Sequence, residues 1–207
     1  MNTRKLSTLV CLFLAGTLIF SCSEDDGIKD SIPEITNSFL YDGQEYPIAD
    51  GLIEDAGPSS PAFGESNPSD THNLYIFNFT DGAYRLEEYE WGDIYRNENA
   101  TYKLYVGLFY PDTTTFREGE YSYVHITEVT SDQVINKKVF GQFAFWLDLN
   151  GNGVYDAEDQ ETYTHSAGGT VNVRGSDNNY IIWFDIVMGN GKTLTGSVQK
   201  SFKYSKY

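Results

Sequence analysis

Oxygen-bearing side chains recur in one stretch of this chain at a spacing that a metal ion can use. Asp148, Asn150, Asn152, Asp156 and Asp159 stand at positions 1, 3, 5, 9 and 12 of the twelve-residue segment 148–159, and Gly153 stands at position 6. A hard cation takes six to eight oxygens at short range, and a tightly wound loop turns its odd-numbered residues inward. Val154 would add its carbonyl, while Gly153 occupies the sharp turn where a Cβ is unwelcome. The expected cofactor is calcium. A plain hairpin is the competing reading, because Asn150-Gly151 and Asn152-Gly153 are both strong hairpin turns. A hairpin gives no reason for acids at positions 1, 9 and 12.

A second group suits polyhydroxylated ligands. Tyr84, Tyr89, Trp91 and Tyr95 are interleaved with Glu87, Glu88, Glu90 and Asp93. Aromatic faces stack on the C–H faces of sugar rings while carboxylates accept hydroxyl protons. The opposing reading is structural, since aromatics in a β domain usually fill its core, and Trp146 and Trp183 are expected there. Other chemistry finds little support. His72, His125 and His165 share no metal-ligand spacing, and neither a nucleophile elbow nor a phosphate-binding glycine loop is present. Two of the 30 acidic residues could meet as a glycosidase pair, but only their separation in space would decide that.

The elements that must position these groups read as strands. Sixteen Tyr, 13 Phe and 19 Gly favour strands and turns. Alternating runs occur at residues 38–48 around Asp42-Gly43, and at 73–80, 101–110, 121–126 and 139–147. Further runs at 169–175, 179–187 and 193–198 form a meander. Pro47 marks an edge strand. Residues 50–71, rich in Gly, Pro, Ser and Asn, read as a long loop and a candidate binding rim. The prediction is nine or ten short strands in one all-β domain over 38–207, an antiparallel β-sandwich with a β-barrel as the alternative.

The first 37 residues give a cellular address. Arg4 and Lys5 precede an apolar run from Leu6 to Phe20, which makes residues 1–21 a signal peptide. Ile19-Phe20-Ser21-Cys22 resembles a bacterial lipoprotein box, which implies that Cys22 carries the lipid. Ser23-Glu24-Asp25-Asp26 resembles the export tag of Bacteroidetes surface lipoproteins, which implies an outer-membrane anchor exposed at the cell surface. Residues 22–37 then form a flexible acidic tether. The loop at 148–159 resembles the calcium loops of EF-hand and dockerin proteins, although a strand leads into it where an EF-hand has a helix. The C-terminal meander is similar to the ends of many Bacteroidetes lipoproteins, a likeness that implies an all-β domain and no particular activity.

Charge narrows the partners. With 14 basic against 30 acidic residues the chain carries a formal charge of −16, and it becomes more negative once Arg4 and Lys5 are removed. Nucleic acid is excluded as a partner, because phosphate recognition needs a basic face. Attachment to the membrane falls to the lipid alone. The expected function is a cell-surface-anchored, calcium-stabilised, non-catalytic binding module with glycan as its ligand class. An accessory or structural subunit that binds a surface protein is the alternative, and a glycoside-hydrolase type enzyme comes third. Because Asp148, Asp156 and Asp159 would repel one another around an empty loop, calcium should bind the folded chain and hardly the unfolded one. Calcium at about a hundred times its dissociation constant then adds roughly 2.7 kcal/mol of stability. Thermal melts in chelator and in millimolar calcium should separate by several degrees for the wild type and coincide for Asp148→Ala; superimposed wild-type curves would reduce the loop to a hairpin.

Overall fold

The computed structural model describes residues 31–66, 70–90, 92–111, 116–148 and 164–206. Its strands are β1 (Ser38–Tyr41), β2 (Gln44–Pro47), β3 (Asp50–Ser59), β4 (His72–Thr80), β5 (Ala83–Glu87), β6 (Ile94–Glu98), β7 (Tyr102–Pro111), β8 (Gly119–Tyr123), β9 (Val139–Leu147), β10 (Thr164–Ser176), β11 (Asn179–Met188), β12 (Thr193–Ser201) and β13 (Lys203–Lys206). One short helix, α1 (Ser131–Val134), interrupts them. The all-β expectation holds. The turns follow residue chemistry: Asp42-Gly43 and Asp177-Asn178 both adopt positive φ (53° and 79°; 51° and 65°), the backbone that two-residue hairpins need.

Eleven strands form one sheet in the order β13-β3-β4-β7-β9-β8-β10-β11-β12-β1-β2, and β5 and β6 form a separate hairpin. Pairing is antiparallel except for β13 with β3 and β8 with β9. β9 begins beside β8 and ends against β10, where Phe145 faces Thr164 and Ala144 faces His165. The sheet curls there, so its two halves face each other across a shared interior. Rings from strands that share no hydrogen bonds meet in that interior: Phe77 with Tyr180 at 5.5 Å, Phe143 with Phe184 at 5.0 Å, and Tyr46 with Phe145 at 5.3 Å. The layers expected of a sandwich are thus two halves of one continuous sheet. β2 is its last strand, as Pro47 foretold.

Residues 50–71 depart from the expectation of a long loop. Their first half is the ten-residue strand β3, buried at Leu52 and Ile53 between β4 and β13. Composition hid it, because Gly57-Pro58 reads as a turn. In fact a bulge between Asp55 and Gly57 absorbs the irregularity, with Gly57 at φ 75°. Pro58 lies past the last β13 pairing at Asp55, so its missing N–H breaks no ladder on that side.

The chain crosses from one half to the other at Phe202. β12 belongs to the second half and β13 to the first, and Phe202 packs on Phe77 and Phe79 between them. Two carboxylates pin β13. Asp50 pairs with Lys203 and accepts the Tyr84 N–H at 2.8 Å, while buried Asp55 accepts the Tyr204 hydroxyl at 2.8 Å. Burial alone would raise the Asp50 pKa, but the Lys203 ammonium and the Tyr84 and Gly51 N–H groups hold it below the usual carboxylate range. The resulting stability is present above the ordinary aspartate pKa and is lost as pH falls through the depressed value. Asp50→Asn should cost about 2 kcal/mol near neutral pH and should flatten the acid limb of the stability curve, checked by urea unfolding between pH 7 and pH 2.

Candidate functional site

Register across the second half of the sheet sorts side chains into two faces. Tyr121, Val171, Phe184, Gly196, Phe39 and Tyr46 are neighbours across β8, β10, β11, β12, β1 and β2, and they face the interior. Gly196 belongs in this row because a Cβ there would lie 2.6 Å from Phe39 Cβ, so only glycine lets β1 approach β12. One residue along, the opposite face carries Glu120, Asn172, Trp183, Ser197, Ser38 and Pro47. Beside that row run Ser122, Thr170, Asp185, Thr195, Leu40 and Glu45. Side-chain alternation with period 2 makes these outer rows mostly polar around a single indole, with Leu40 and Pro47 at the β1–β2 end.

A groove of about 500 Å³ lies on this face, bounded by Trp183, Asp185, Thr195, Leu40 and Glu45 and by the N-terminal segment at Pro33, Glu34 and Thr36. That segment is tied to Ser197, whose Oγ accepts the Thr36 N–H at 3.0 Å and donates to the Glu34 carbonyl at 3.2 Å. Glu45 accepts from the Ser38 hydroxyl at 2.7 Å. Trp183 is 6% exposed and so buried as expected, but register puts it on the outer face, apart from the main inner cluster. Its Nε1–H and the Oδ1 of its cross-strand neighbour Asn172 are both out of solvent and have no hydrogen-bond partner. A stranded donor or acceptor costs on the order of 1–3 kcal/mol, so the indole N–H leaves the groove incompletely satisfied at Trp183. Trp146, also expected in the core, is half-buried.

The aromatic residues singled out from the sequence do not form one platform. Register in the β5–β6 hairpin pairs Tyr84 with Asn97 and Leu86 with Tyr95 on one face, and Arg85 with Arg96 and Glu87 with Ile94 on the other. Tyr84 is 4% exposed, so it offers no stacking surface, and burial near Glu54 and Asp50 pushes its hydroxyl pKa far up. Tyr89 is 36% exposed and bonds instead with the charged face, its hydroxyl meeting Glu87 and Arg96. Tyr95 is half-buried. Trp91 lies outside the described residues.

Asp148 directly follows β9 and donates its N–H to the Thr101 carbonyl at 2.9 Å. The remaining calcium-loop residues, Asn150, Asn152, Val154, Asp156 and Asp159, lie outside the described residues, as does Cys22. Among the described residues, no three His, Cys, Asp or Glu side chains converge as a metal site. No family model, no curated protein and no solved structure matches the chain.

Sequence reasoning missed the outer-face groove. Its residues come from both ends of the chain, and only the alternation of polar with apolar residues in 179–187 hinted that one face of that strand looks outward. It also missed the role of His72, which is buried, with Nε2 at 3.0 Å from the Lys137 carbonyl and Nδ1 at 2.7 Å from the Thr71 hydroxyl. A donor at Nε2 and an acceptor at Nδ1 describe a neutral ring. Burial lowers its pKa against the opposing pull of the Lys137 and Val134 carbonyls. The folded chain therefore resists a proton that the unfolded histidine takes near pH 6.5. This contribution is complete above that pH and declines as pH falls below it. Melting temperatures should drop between pH 7.5 and 5.5 in the wild type, and less so in His72→Gln, which keeps a donor for Lys137 but does not titrate.

Proposed function

We propose that this chain is a lipid-anchored, calcium-stabilised binding module of the outer cell surface, without catalytic activity, whose ligand is a glycan. The supporting observation is the open groove lined by Trp183, whose buried N–H lacks a partner, as does the Oδ1 of its cross-strand neighbour Asn172. Sugars fit these groups chemically, because each hydroxyl both donates and accepts. The carboxylates of Asp185 and Glu45 accept from ring hydroxyls at the rim, and Leu40 meets an apolar sugar face. The lipid address and the calcium loop enter this reading from the sequence alone. Tyr89 and Tyr95 stand apart from the groove's lining and are not needed for it.

A protein-binding accessory subunit is the second reading. Phe63, 53% exposed, borders a small apolar cavity of about 70 Å³ with Leu74, Ile76, Tyr105, Phe109 and Ile126, and such a surface suits a protein side chain. The two readings separate on a glycan array followed by calorimetry. Trp183→Phe keeps an aromatic ring but removes the stranded N–H together with part of the indole's volume. On the glycan reading, with the fold checked by circular dichroism, it should weaken the best array ligand about tenfold, equivalent to about 1.4 kcal/mol. An array with no binder, together with stable co-purification of a protein partner, would overturn the glycan reading in favour of the accessory one.

A further inference from the structure

The outer-face groove has a one-sided charge. Glu34, Glu45 and Asp185 are the charged side chains among its described lining residues, and no Lys, Arg or His joins them. All three acids are exposed. The carboxylates of Glu34 and Asp185 have no hydrogen-bond or ionic partner among the described residues, and that of Glu45 accepts the Ser38 hydroxyl at 2.7 Å. Cations nearby are placed elsewhere. Lys192 is held by Asp42 at 2.6 Å, and Arg174, on the same face of β10, lines a different cavity with Ile181 and Gln199.

Register sets the acids along a track. Asp185 faces Thr195, Thr195 faces Leu40 and Leu40 faces Glu45 across β11, β12, β1 and β2. Three strand steps therefore lie between Asp185 and Glu45, about 14 Å at ~4.8 Å per step. Independent of charge, Trp183 stands two residues before Asp185 on the same face of β11. It is 6% exposed, lines the groove and keeps an indole N–H without a partner.

The groove thus offers carboxylates, which only accept, and an indole, which only donates. A ligand that satisfies both carries strong donors and neutral acceptors on one framework. Neutral hydroxyls can serve a carboxylate, but an ammonium does so through a charge-assisted bond roughly twice as strong. Uronate or sulfate groups would instead meet repulsion from three acids with no cation in the lining. We infer that the ligand is a glycan with unsubstituted amino groups, an amino-sugar oligosaccharide whose ammonium groups pair with Asp185 and Glu45 while a hydroxyl oxygen accepts the Trp183 N–H. This inference rests on the glycan reading and specifies its substrate class. The distance between the two acids exceeds one sugar ring, so pairing at both selects an oligomer over a single sugar. The formal charge of −16 attracts any cation at low salt. At 0.15 M salt, charges beyond about 8 Å are largely screened, which leaves contacts inside the groove to decide.

Titration calorimetry of the full chain at 0.15 M salt and about pH 6, where carboxylates remain ionised, tests this with three soluble probes. They are a glucosamine trisaccharide, its fully N-acetylated counterpart and trilysine. The free-amine trisaccharide should bind roughly tenfold tighter than the acetylated one, and tighter than trilysine, which has the charge without the hydroxyl acceptors. Asp185→Asn and Glu45→Gln, with folds checked by circular dichroism, should each weaken it about fivefold, the upper range for an exposed ion pair. Glu128→Gln, which removes one exposed negative charge outside the groove, should behave as wild type. A free-amine trisaccharide that binds no tighter than the acetylated one, or that keeps its preference in D185N/E45Q, would overturn the inference. So would trilysine binding as tightly as the sugar with the same losses, which points to a basic peptide. If the acetylated trisaccharide or an array ligand still binds in those cases and loses affinity in Trp183→Phe, the glycan reading survives and only the amine assignment falls; if nothing binds in either assay, both fall.

Discussion

Contact between aromatic rings across the interior is the interaction on which the rest of this structure depends. Phe184 of β11 lies against Phe79 of β4 and Phe143 of β9, and Phe77 meets both Tyr180 and Phe202. None of these pairs is joined by a sheet hydrogen bond, so the rings are what keep the curled sheet folded on itself. Each such pair contributes about 0.5–1.5 kcal/mol beyond the area it buries. Tyrosines take part by keeping their hydroxyls at the margin, as Tyr102 does in donating to the Pro47 carbonyl at 2.7 Å. The Tyr180 hydroxyl, pushed by burial up to about 12, remains neutral over the whole ordinary pH range.

An interior filled by large rings frees the outer face from packing duty. In β10, β11 and β12 the outward positions carry Thr170, Asn172, Asp185, Thr195 and Ser197, and no helix covers them among the described residues. Half-buried antiparallel strands usually present such a polar face to water. Here the N-terminal segment is drawn down onto it at Ser197, which turns an open sheet surface into a groove with a wall.

Charge distribution gives the face its polarity. Several cations help hold the fold together: Lys203 and Lys206 at the C-terminal strand, Lys192 across the β1–β2 turn at Asp42, and Arg85 and Arg96 within the outer hairpin. The groove end, with Asp185, Glu45 and Glu34, is acidic by contrast.

Much of the local structure was legible in the residues alone. Alternation in 73–80, 139–147, 179–187 and 193–198 names β4, β9, β11 and β12, and Asp42-Gly43 and Pro47 name a hairpin and an edge, because side-chain period and turn backbone are properties of neighbouring residues. Pairing decided the rest. Composition marks residues 50–59 as loop, but hydrogen bonds to β4 and to β13, the latter about 150 residues away, hold them as strand. Tyr84 and Trp183 are both aromatic and both buried, and nothing in their neighbours tells that one lies beneath a hairpin and the other under an outer groove. Which face a strand turns inward, and which distant residues share that face, depends on register between strands far apart in the chain, and only the folded sheet sets it.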